Sequence, residues 1–292
     1  MTITYGLYAG AEGRRYALNR YRQFRWEQGH SSGPDVDPPK LLSRDNHKSE
    51  VTLENAGVRE FMLYLTPADG SGYEMCAGRT PLCTLGCLGH GPRYDIDKVA
   101  RGRLVKTLFF NECRNEFLTL LASELHRISL RRDVDDVRVR LNGTSDVGWE
   151  QFCPTLFQSN PRIKFMDYTK IYGRMRQFLA GKMPPNYKLV YSVSEQTPDW
   201  RVKQLLEWGA VCAIVFDVKK DDPLPEEWLN YPVIDGDLHD DLWRDYEVGG
   251  VVRGLRAKQP MAGKVEFLGF VKQVPRGQHP SRGVAIEIGS KT

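Results

Sequence analysis

Apolar and polar positions follow a regular pattern from about residue 58 onward. Short apolar or alternating runs typical of β-strands occur at residues 59–66, 137–141, 163–166, 187–193, 211–216, 233–234 and 251–255. Segments with helical apolar spacing lie between them, at residues 97–132, 148–158, 171–179 and 199–208. This alternation of strands and helices predicts parallel βαβ units with right-handed crossovers.

The repeated βα pattern favours an α/β fold, a partial (β/α) barrel of about six parallel strands, with an open doubly wound sheet as the alternative. The first 55 residues lack this rhythm, and residues 28–50 are rich in Gly, Pro, Ser and Asp. We therefore expect an irregular N-terminal arm at 1–55, a barrel-like domain at 56–272 and a C-terminal tail at 273–292.

Polar residues gather directly after the predicted strands. The groups are a cysteine-containing loop at 76–91 and the segments 142–146, 167–170, 192–195, 217–219 and 235–237. Single loops of this kind are often only helix caps. Because parallel α/β folds place their sites at the carboxyl ends of the strands, the whole set predicts one shared site.

The cysteine loop has the spacing of a metal site. Six residues separate Cys76 from Cys83, three separate Cys83 from Cys87, and His90 follows after two more. Glycines at 78, 86, 89 and 91 allow the backbone to wrap closely around a metal. Thiolates suit zinc or an iron–sulfur cluster, and both remain open: zinc would take the three cysteines with His90. The remaining cysteines are expected to be small buried residues: Cys113, Cys153 and Cys212.

Overall composition is that of an ordinary globular protein, with 41% hydrophobic and 27% charged residues and a net charge of +4. No apolar run approaches the length needed to span a bilayer, and the N-terminus lacks the order of a secretory signal. We therefore expect a cytoplasmic protein with reduced cysteines and no membrane partner.

The spacing from Cys83 through Cys87 to His90 resembles the CxxxCxxC motif of radical S-adenosylmethionine (SAM) enzymes, with His90 in place of the third cysteine. That resemblance implies a [4Fe-4S] cluster held by Cys76, Cys83 and Cys87, or with His90 as a ligand. It also implies roles for residues after later strands. SAM would be held by Gly143, Thr144, Ser145, Asp146 and Ser192. The substrate would face Asp146, Asp167, Lys170, Ser192 and Glu195.

Four further segments resemble an uncharacterised family encoded by bacteriophages and some bacteria, sometimes described as radical-SAM-like. They are RLNGTSD (140–146), DYTK (167–170), PNYKLVYSVSE (185–195) and VIDGD (233–237). The resemblance runs from about residue 50 to 260 and supports fold more than function. By analogy, a phage setting implies a nucleotide or nucleic-acid base as substrate and the host cytoplasm as location.

Two other functions fit the same residues. A nucleotide-base transglycosylase of the 7-deazaguanine insertion type would use structural zinc and two catalytic carboxylates. Its candidates are Asp146, Asp167, Asp235 and Asp237. A non-enzymatic, metal-stapled protein would bind nucleic acid through the Arg- and aromatic-rich stretch 14–26. Positive charge beside the cysteine loop would assist it, from Arg101, Arg103 and Lys106.

Overall fold

The computed structural model describes residues 10–29, 40–44, 47–90, 97–258, 261 and 264–274. The helices are α1 (Gly10–Glu27), α2 (His47–Ala56), α3 (Pro81–Leu85), α4 (Asp97–Glu112), α5 (Arg114–Ser129), α6 (Trp149–Phe152), α7 (Thr155–Gln158), α8 (Tyr172–Leu179), α9 (Asp199–Glu207) and α10 (Leu242–Val248). The strands are β1 (Leu42–Ser43), β2 (Arg59–Leu63), β3 (Val137–Arg140), β4 (Lys164–Thr169), β5 (Tyr187–Ser192), β6 (Val211–Phe216), β7 (Glu227–Trp228), β8 (Tyr231–Asp235), β9 (Val251–Arg256) and β10 (Val271–Lys272). Every predicted strand and helix is present, with its ends shifted by a few residues.

The strands of the described part form one sheet in the order β1-β2-β3-β4-β5-β6-β9-β8-β7, and β10 also pairs with β6. From β2 to β8 the neighbouring strands are parallel. The short strands β1 and β7 are antiparallel to their neighbours. Strands β2 to β6 lie side by side without a reversal of order, and the sheet is not closed within the described residues. The structure therefore confirms a mixed α/β fold on a mostly parallel sheet.

The two faces of the sheet have different partners. Residues such as Phe165 and Leu189 face the main core, which is shared with apolar side chains of α1, α4, α5, α8 and α9. The alternate residues Met166 and Val190 pack with Leu242 of α10 on the other face. Helices α1, α4, α5, α8 and α9 thus lie on one side of the sheet and α10 on the other, and the carboxyl ends of the parallel strands meet at one edge.

The prediction of an irregular N-terminal arm is wrong for residues 10–27, which form α1. Ala17, Tyr21 and Phe24 are buried along one stripe of this helix. The rings of Tyr21 and Phe24 lie 4.8 and 5.4 Å from the ring of Phe109 in α4. The many arginines occupy the remaining faces, which concealed the helical period. Further along the predicted arm, β1 and α2 are also regular; residues 1–9, 30–39 and 45–46 lie outside the described part.

The C-terminal part of the described chain closes over the cysteine loop. Strand β10 pairs with the last residues of β6, Val215 and Phe216. Just before it, Met261, Phe267 and Phe270 form an apolar cluster against which side chains of the cysteine loop pack. Residues 275–292 of the predicted tail lie outside the described part. No described helix combines the length and apolar character that a bilayer crossing requires.

Candidate functional site

The cysteine loop follows β2 and contains the short helix α3. Thr80 is the N-cap of this helix, and its hydroxyl accepts a hydrogen bond from the backbone N–H of Cys83 at 3.3 Å. Gly86 ends the helix against the C-terminal cluster. A Cβ at this position would lie 2.7 Å from Sδ of Met261 and 2.8 Å from the ring of Phe267. The loop is therefore fixed by close packing on its outer side.

The thiols of Cys76, Cys83 and Cys87 are half-buried and form no disulfide. Burial raises the pKa of Cys76 to about 12, and negative charge on Cys87 or Cys83 adds to that effect. Burial also raises the pKa of Cys87, and Cys83 raises it further. Because such interactions between charges weaken with distance, the mutual effects indicate that the three sulfurs lie in one region.

Two of these sulfurs have polar and cationic neighbours. The backbone N–H of Ala68 donates to Sγ of Cys76 at 3.4 Å. The N–H of Gly89 and the positive charge of Arg103 both lower the pKa of Cys87, against the larger effect of burial. Arg103 is itself buried and donates to the carbonyl of Gly89 at 2.7 Å. These contacts favour the thiolate form that a metal or cluster requires.

The loop carries three thiols, the ligand type that suits zinc or an iron–sulfur cluster. Backbone N–H groups lie at two of the sulfurs, those of Cys76 and Cys87, and the buried guanidinium of Arg103 lies beside Cys87. Within the described residues, no group of three or more His, Cys, Asp and Glu side chains is arranged to hold a metal ion. His90 ends a short 3-10 helix, Leu88–His90, but its side chain lies outside the described part.

The segment from Gly143 to Asp146 lies directly against the cysteine loop. The backbone N–H of Asp146 donates to the carbonyl of Met75 at 2.8 Å, and Sγ of Cys76 lies 3.8 Å from the carbonyl of Thr144. Gly143 packs on the end of β2, where a Cβ would lie 2.8 Å from the carbonyl of Leu63. Predicted cofactor residues after β3 and predicted metal ligands after β2 are thus in contact.

Hydrogen bonds to the side chain of Asn142 stabilise the same segment. The hydroxyl of Ser145 donates to Oδ1 of Asn142 at 2.9 Å, and the backbone N–H of Val147 donates to the same oxygen at 2.9 Å. The hydroxyl of Thr144 donates to the carbonyl of Leu65. The predicted SAM-binding residues therefore form a well-braced turn whose side-chain hydroxyls are used within the protein.

Asp146 is bound chiefly to a buried arginine. Its Oδ1 accepts from Arg174 at 2.7 Å, and its Oδ2 accepts from the backbone N–H of Lys170 at 2.9 Å and from the hydroxyl of Thr169 at 3.2 Å. Burial raises the pKa of Asp146, while Arg174 acts to lower it. Asp146 thus connects the turn after β3 to the end of β4.

Arg174 is the centre of a buried network. Besides Asp146, its guanidinium donates to both oxygens of Glu150 at 2.8 and 2.7 Å and to the hydroxyl of Tyr187 at 2.8 Å. Three elements, the turn after β3, α6 and β5, are therefore joined through one side chain on α8. Nothing in the local sequence around residue 174 distinguishes this arginine from a solvent-exposed one.

Asp167 lies inside the fold rather than in an open cavity. Its carboxylate is fully buried and accepts from the backbone N–H of Asn142 at 2.8 Å, the Asn142 amide at 3.2 Å and the Tyr187 hydroxyl at 2.8 Å. Burial raises the pKa of Asp167 to about 6, although Arg140 and these hydrogen bonds lower it. Its contacts hold Asn142 in place, and through it the turn that follows β3.

Lys170 and Ser192 meet at the carboxyl ends of β4 and β5. The Lys170 ammonium donates a hydrogen bond to the Ser192 hydroxyl and lies 5.4 Å from the centre of the Phe270 ring. Its charge also lowers the pKa of the Cys87 thiol, a smaller effect than burial. The structure thus brings two of the predicted site residues together beside the cysteine loop.

Glu195 contacts α3 instead of facing an open cavity. Its Oε2 accepts from the hydroxyl of Thr80 at 2.8 Å, and its Oε1 accepts from the backbone N–H of Leu82 at 3.1 Å. A carboxylate in this position stabilises the start of a helix. Glu195 therefore holds the cysteine loop against the end of β5.

The two later aspartates belong to a different cluster. Asp235 accepts from Arg256 at 2.9 Å, and Asp237 accepts from the same guanidinium at 3.3 Å. Asp146 and Asp167 are instead bound by Arg174, Asn142 and Tyr187. The four carboxylates considered for a transglycosylase thus fall into two separate networks, Asp146 with Asp167 and Asp235 with Asp237.

Of the three cations predicted beside the cysteine loop, Arg103 contacts it. Arg101 donates to the carbonyl of Gly29 at 3.3 Å, and Lys106 donates to that of Leu41 at 2.9 Å. Both therefore contact residues N-terminal to β2, and the sequence pattern does not predict that this segment lies next to α4.

A family model described as Gene product 88 matches residues 40–267. This range encloses the stretch from about residue 50 to 260 over which the sequence resembles a bacteriophage family, so that prediction is confirmed at the level of the family. The radical-SAM-like description attached to it stays a prediction. No curated protein and no solved structure matches the chain.

Proposed function

This chain belongs to the Gene product 88 family, and we propose that it is an iron–sulfur enzyme of radical-SAM type. The contact between the cysteine loop and the turn from Gly143 to Asp146 carries this proposal. SAM would have to contact both the cluster and the glycine-containing turn after β3, and these two parts of the chain are adjacent. The same edge of the sheet also carries Lys170 and Ser192.

In this proposal Cys76, Cys83 and Cys87 hold a [4Fe-4S] cluster. When bound, the cluster would supply the electron that reductive cleavage of SAM requires. Backbone groups of the turn from Gly143 to Ser145 bind SAM, since the hydroxyls of Thr144 and Ser145 are already bonded within the protein.

The other predicted site residues have distinct roles. Lys170 supplies positive charge and Ser192 a hydroxyl toward substrate. Asp146, Asp167 and Glu195 act as positioning residues, because each fixes a loop that carries a ligand group. The unreversed order of β2 to β6 fits a partial (β/α) barrel, in which this edge would form the mouth. A nucleotide or nucleic-acid base is the proposed substrate, and the host cytoplasm the proposed location.

Anaerobic reconstitution of the full chain with iron and sulfide tests the cluster. We expect about four irons and four sulfides per chain, with the visible absorption of a [4Fe-4S] cluster. Cys83→Ser and Cys87→Ser should each lose most of the bound iron. Cys113→Ser is the matched control, because Cys113 is an equally half-buried free thiol outside the loop. Equal iron content in all three variants would contradict the proposal.

Calorimetric titration of the reconstituted protein with SAM tests the cofactor. Binding that requires the cluster supports the radical-SAM assignment. A protein that carries zinc instead, with no bound iron and no SAM binding, would replace it with a structural metal site. Zinc, iron and sulfide are therefore measured on the same sample as the titration.

A further inference from the structure

A cationic cleft lies near the C-terminal end of α5, whereas the cysteine loop follows the carboxyl end of β2. Its volume is about 190 Å³, and it is open to solvent on one side. Its lining comes from the β1 region, β2 and the C-terminal end of α5: Lys40, Leu42, Arg44, Phe61, Glu124, Arg127, Ile128 and Arg131. Because α5 ends here and the chain then enters β3, the cleft lies toward the amino ends of the strands.

Positive charge dominates this cleft. The lining residues include four cations, Lys40, Arg44, Arg127 and Arg131, and one carboxylate, that of Glu124. A second carboxylate, that of Asp133, pairs with Arg131. Both oxygens of Glu124 are engaged in hydrogen bonds with the chain, accepting from the backbone N–H groups of Leu41 and Leu42 at 2.9 Å each. Burial also raises the pKa of Glu124. The carboxylate thus braces the wall of the cleft, and its single negative charge leaves the lining with a net positive charge.

Arg127, in the last turn of α5, is presented in a way that suits an anion. Arg127 is exposed and commits its Nε–H to the carbonyl of Ser123 at 3.4 Å, while a guanidinium carries about five N–H donors. Arg131, two residues beyond the end of α5, already donates to Asp133 through two contacts at 2.8 and 2.7 Å, so its charge is paired within the protein. Pre-oriented guanidinium groups match the geometry of phosphate oxygens.

The convergence of distant segments argues against an incidental cluster. A cation at the C-terminus of a helix is expected from the helix dipole alone, which accounts for Arg127. Lys40 and Arg44 come from a segment more than eighty residues earlier, and β1 delivers them to the same cleft. The buried apolar side chains of Leu42 and Phe61 also line the cleft and form its floor.

We propose that this cleft is a binding site for phosphate esters, with cationic walls for the phosphate and an apolar floor for the attached group. A free nucleotide and a nucleic-acid strand share this chemistry. The proposal does not depend on the iron–sulfur function, because none of the lining residues belongs to the cysteine loop or its partners.

Binding of two probes to the full chain tests the site. The first is adenosine diphosphate, followed by calorimetry, and the second is a labelled single-stranded oligodeoxynucleotide, followed by fluorescence anisotropy. The double variant Lys40→Glu with Arg127→Glu should weaken the binding of whichever probe binds by about tenfold or more. The control carries the same charge change on exposed positions elsewhere, Lys182→Glu with Lys203→Glu, and should change affinity by less than about twofold.

The pattern of binding identifies the source of the phosphate. Adenosine diphosphate binding without oligonucleotide binding assigns the cleft to a free nucleotide. Oligonucleotide binding that weakens steeply with salt, with a smaller salt dependence in the cleft variant, assigns it to a nucleic-acid backbone. If neither probe binds the wild type, or if both double variants lose affinity equally, the proposal is overturned. The single variant Arg127→Gln repeats the test if the double variant does not fold.

Discussion

The carboxylate of Glu195, just after β5, accepts a hydrogen bond from the hydroxyl of Thr80 at 2.8 Å, across 115 residues of sequence. The same carboxylate accepts from the backbone N–H of Leu82 at 3.1 Å. Thr80 in turn caps α3 through the N–H of Cys83. One side chain outside the cysteine loop therefore fixes the helix that carries the second cysteine.

Removal of that carboxylate should loosen α3. Hydrogen bonds to a charged group contribute about 1.5–3 kcal/mol, so Glu195→Ala should increase the rate at which iodoacetamide alkylates Cys83 by about tenfold or more. Glu195→Gln keeps neutral hydrogen bonds and should show a smaller increase. Mass spectrometry of peptide fragments measures the rate. The exposed Glu247→Ala is the control, and an unchanged rate in Glu195→Ala would show that α3 does not depend on this contact.

Packing at the end of α3 gives a second prediction. A Cβ added at Gly86 would overlap Met261 and Phe267, whereas one at Gly173 in α8 meets nothing within 4 Å. Gly86→Ala should therefore reduce the free energy of unfolding by about 1–3 kcal/mol. Gly173→Ala should be neutral or stabilising by up to about 1 kcal/mol, because alanine favours the helix. Urea denaturation of both variants measures the difference. Equal stability of the two variants would show that Met261 and Phe267 can move to accommodate the added methyl group without loss of stability.

The alternation of strands and helices could be predicted from the sequence, because each buried strand is marked by a local apolar run. The run at Val211–Phe216 is apolar on both faces, as a central parallel strand must be. Helix α1 was missed for the opposite reason. Its buried residues Ala17, Tyr21 and Phe24 form only a narrow stripe among arginines, and the partner ring of Phe109 lies far away in the sequence.

The environment of the site residues depended on a detail that sequence reading does not resolve. The sequence pattern predicts a strand at 163–166, the counterpart of β4, and this boundary makes Asp167 a loop residue at the site. The strand continues to Thr169, so Asp167 falls on the core face, opposite to Met166 and Tyr168. Likewise, the pairing of Asp146 with Arg174 spans 28 residues and two elements, and no local pattern indicates it.

The buried Asp167 predicts a dependence of stability on pH. Its pKa is raised from 3.8 to about 6, mainly by burial, so the folded state binds a proton that the unfolded state releases in this range. Stability from this group is therefore fully present below about pH 4 and is lost as the pH rises through about 6, a change of about 3 kcal/mol.

Asp167→Asn removes this titration while keeping an acceptor for the backbone N–H of Asn142. The unfolding free energy of the wild type minus that of the variant should decrease as the pH rises from about 4 to 6. Above about pH 7 it should no longer change. Urea denaturation at several pH values measures it. Asp221→Asn, at an exposed position, is the control. A difference that is constant across this range would mean that the carboxyl titrates normally in the folded state.

The last prediction concerns Asp146 and Arg174, whose ion pair is almost fully buried, with side-chain exposures of 11% and 1%. Loss of one partner from a buried pair leaves the other charge poorly compensated, and Glu150 retains part of that compensation here. Asp146→Asn should therefore reduce the free energy of unfolding by about 3 kcal/mol, the low end of the range for such changes.

The exposed pair of Arg162 and Asp135, at 3.5 Å, provides the contrast. Asp135→Asn should cost at most about 1 kcal/mol. Equal losses in the two variants would show that burial of the Asp146 pair contributes nothing.

The same variants separate two roles for Asp146 in the reconstituted protein. If Asp146 positions the turn through Arg174, then Asp146→Asn and Arg174→Gln should weaken SAM binding by similar factors, about tenfold or more, and leave the iron content intact. If Asp146 touches SAM itself, its variant should lose more affinity than Arg174→Gln at matched stability. Since three hydrogen bonds already occupy the carboxylate, we expect the first result.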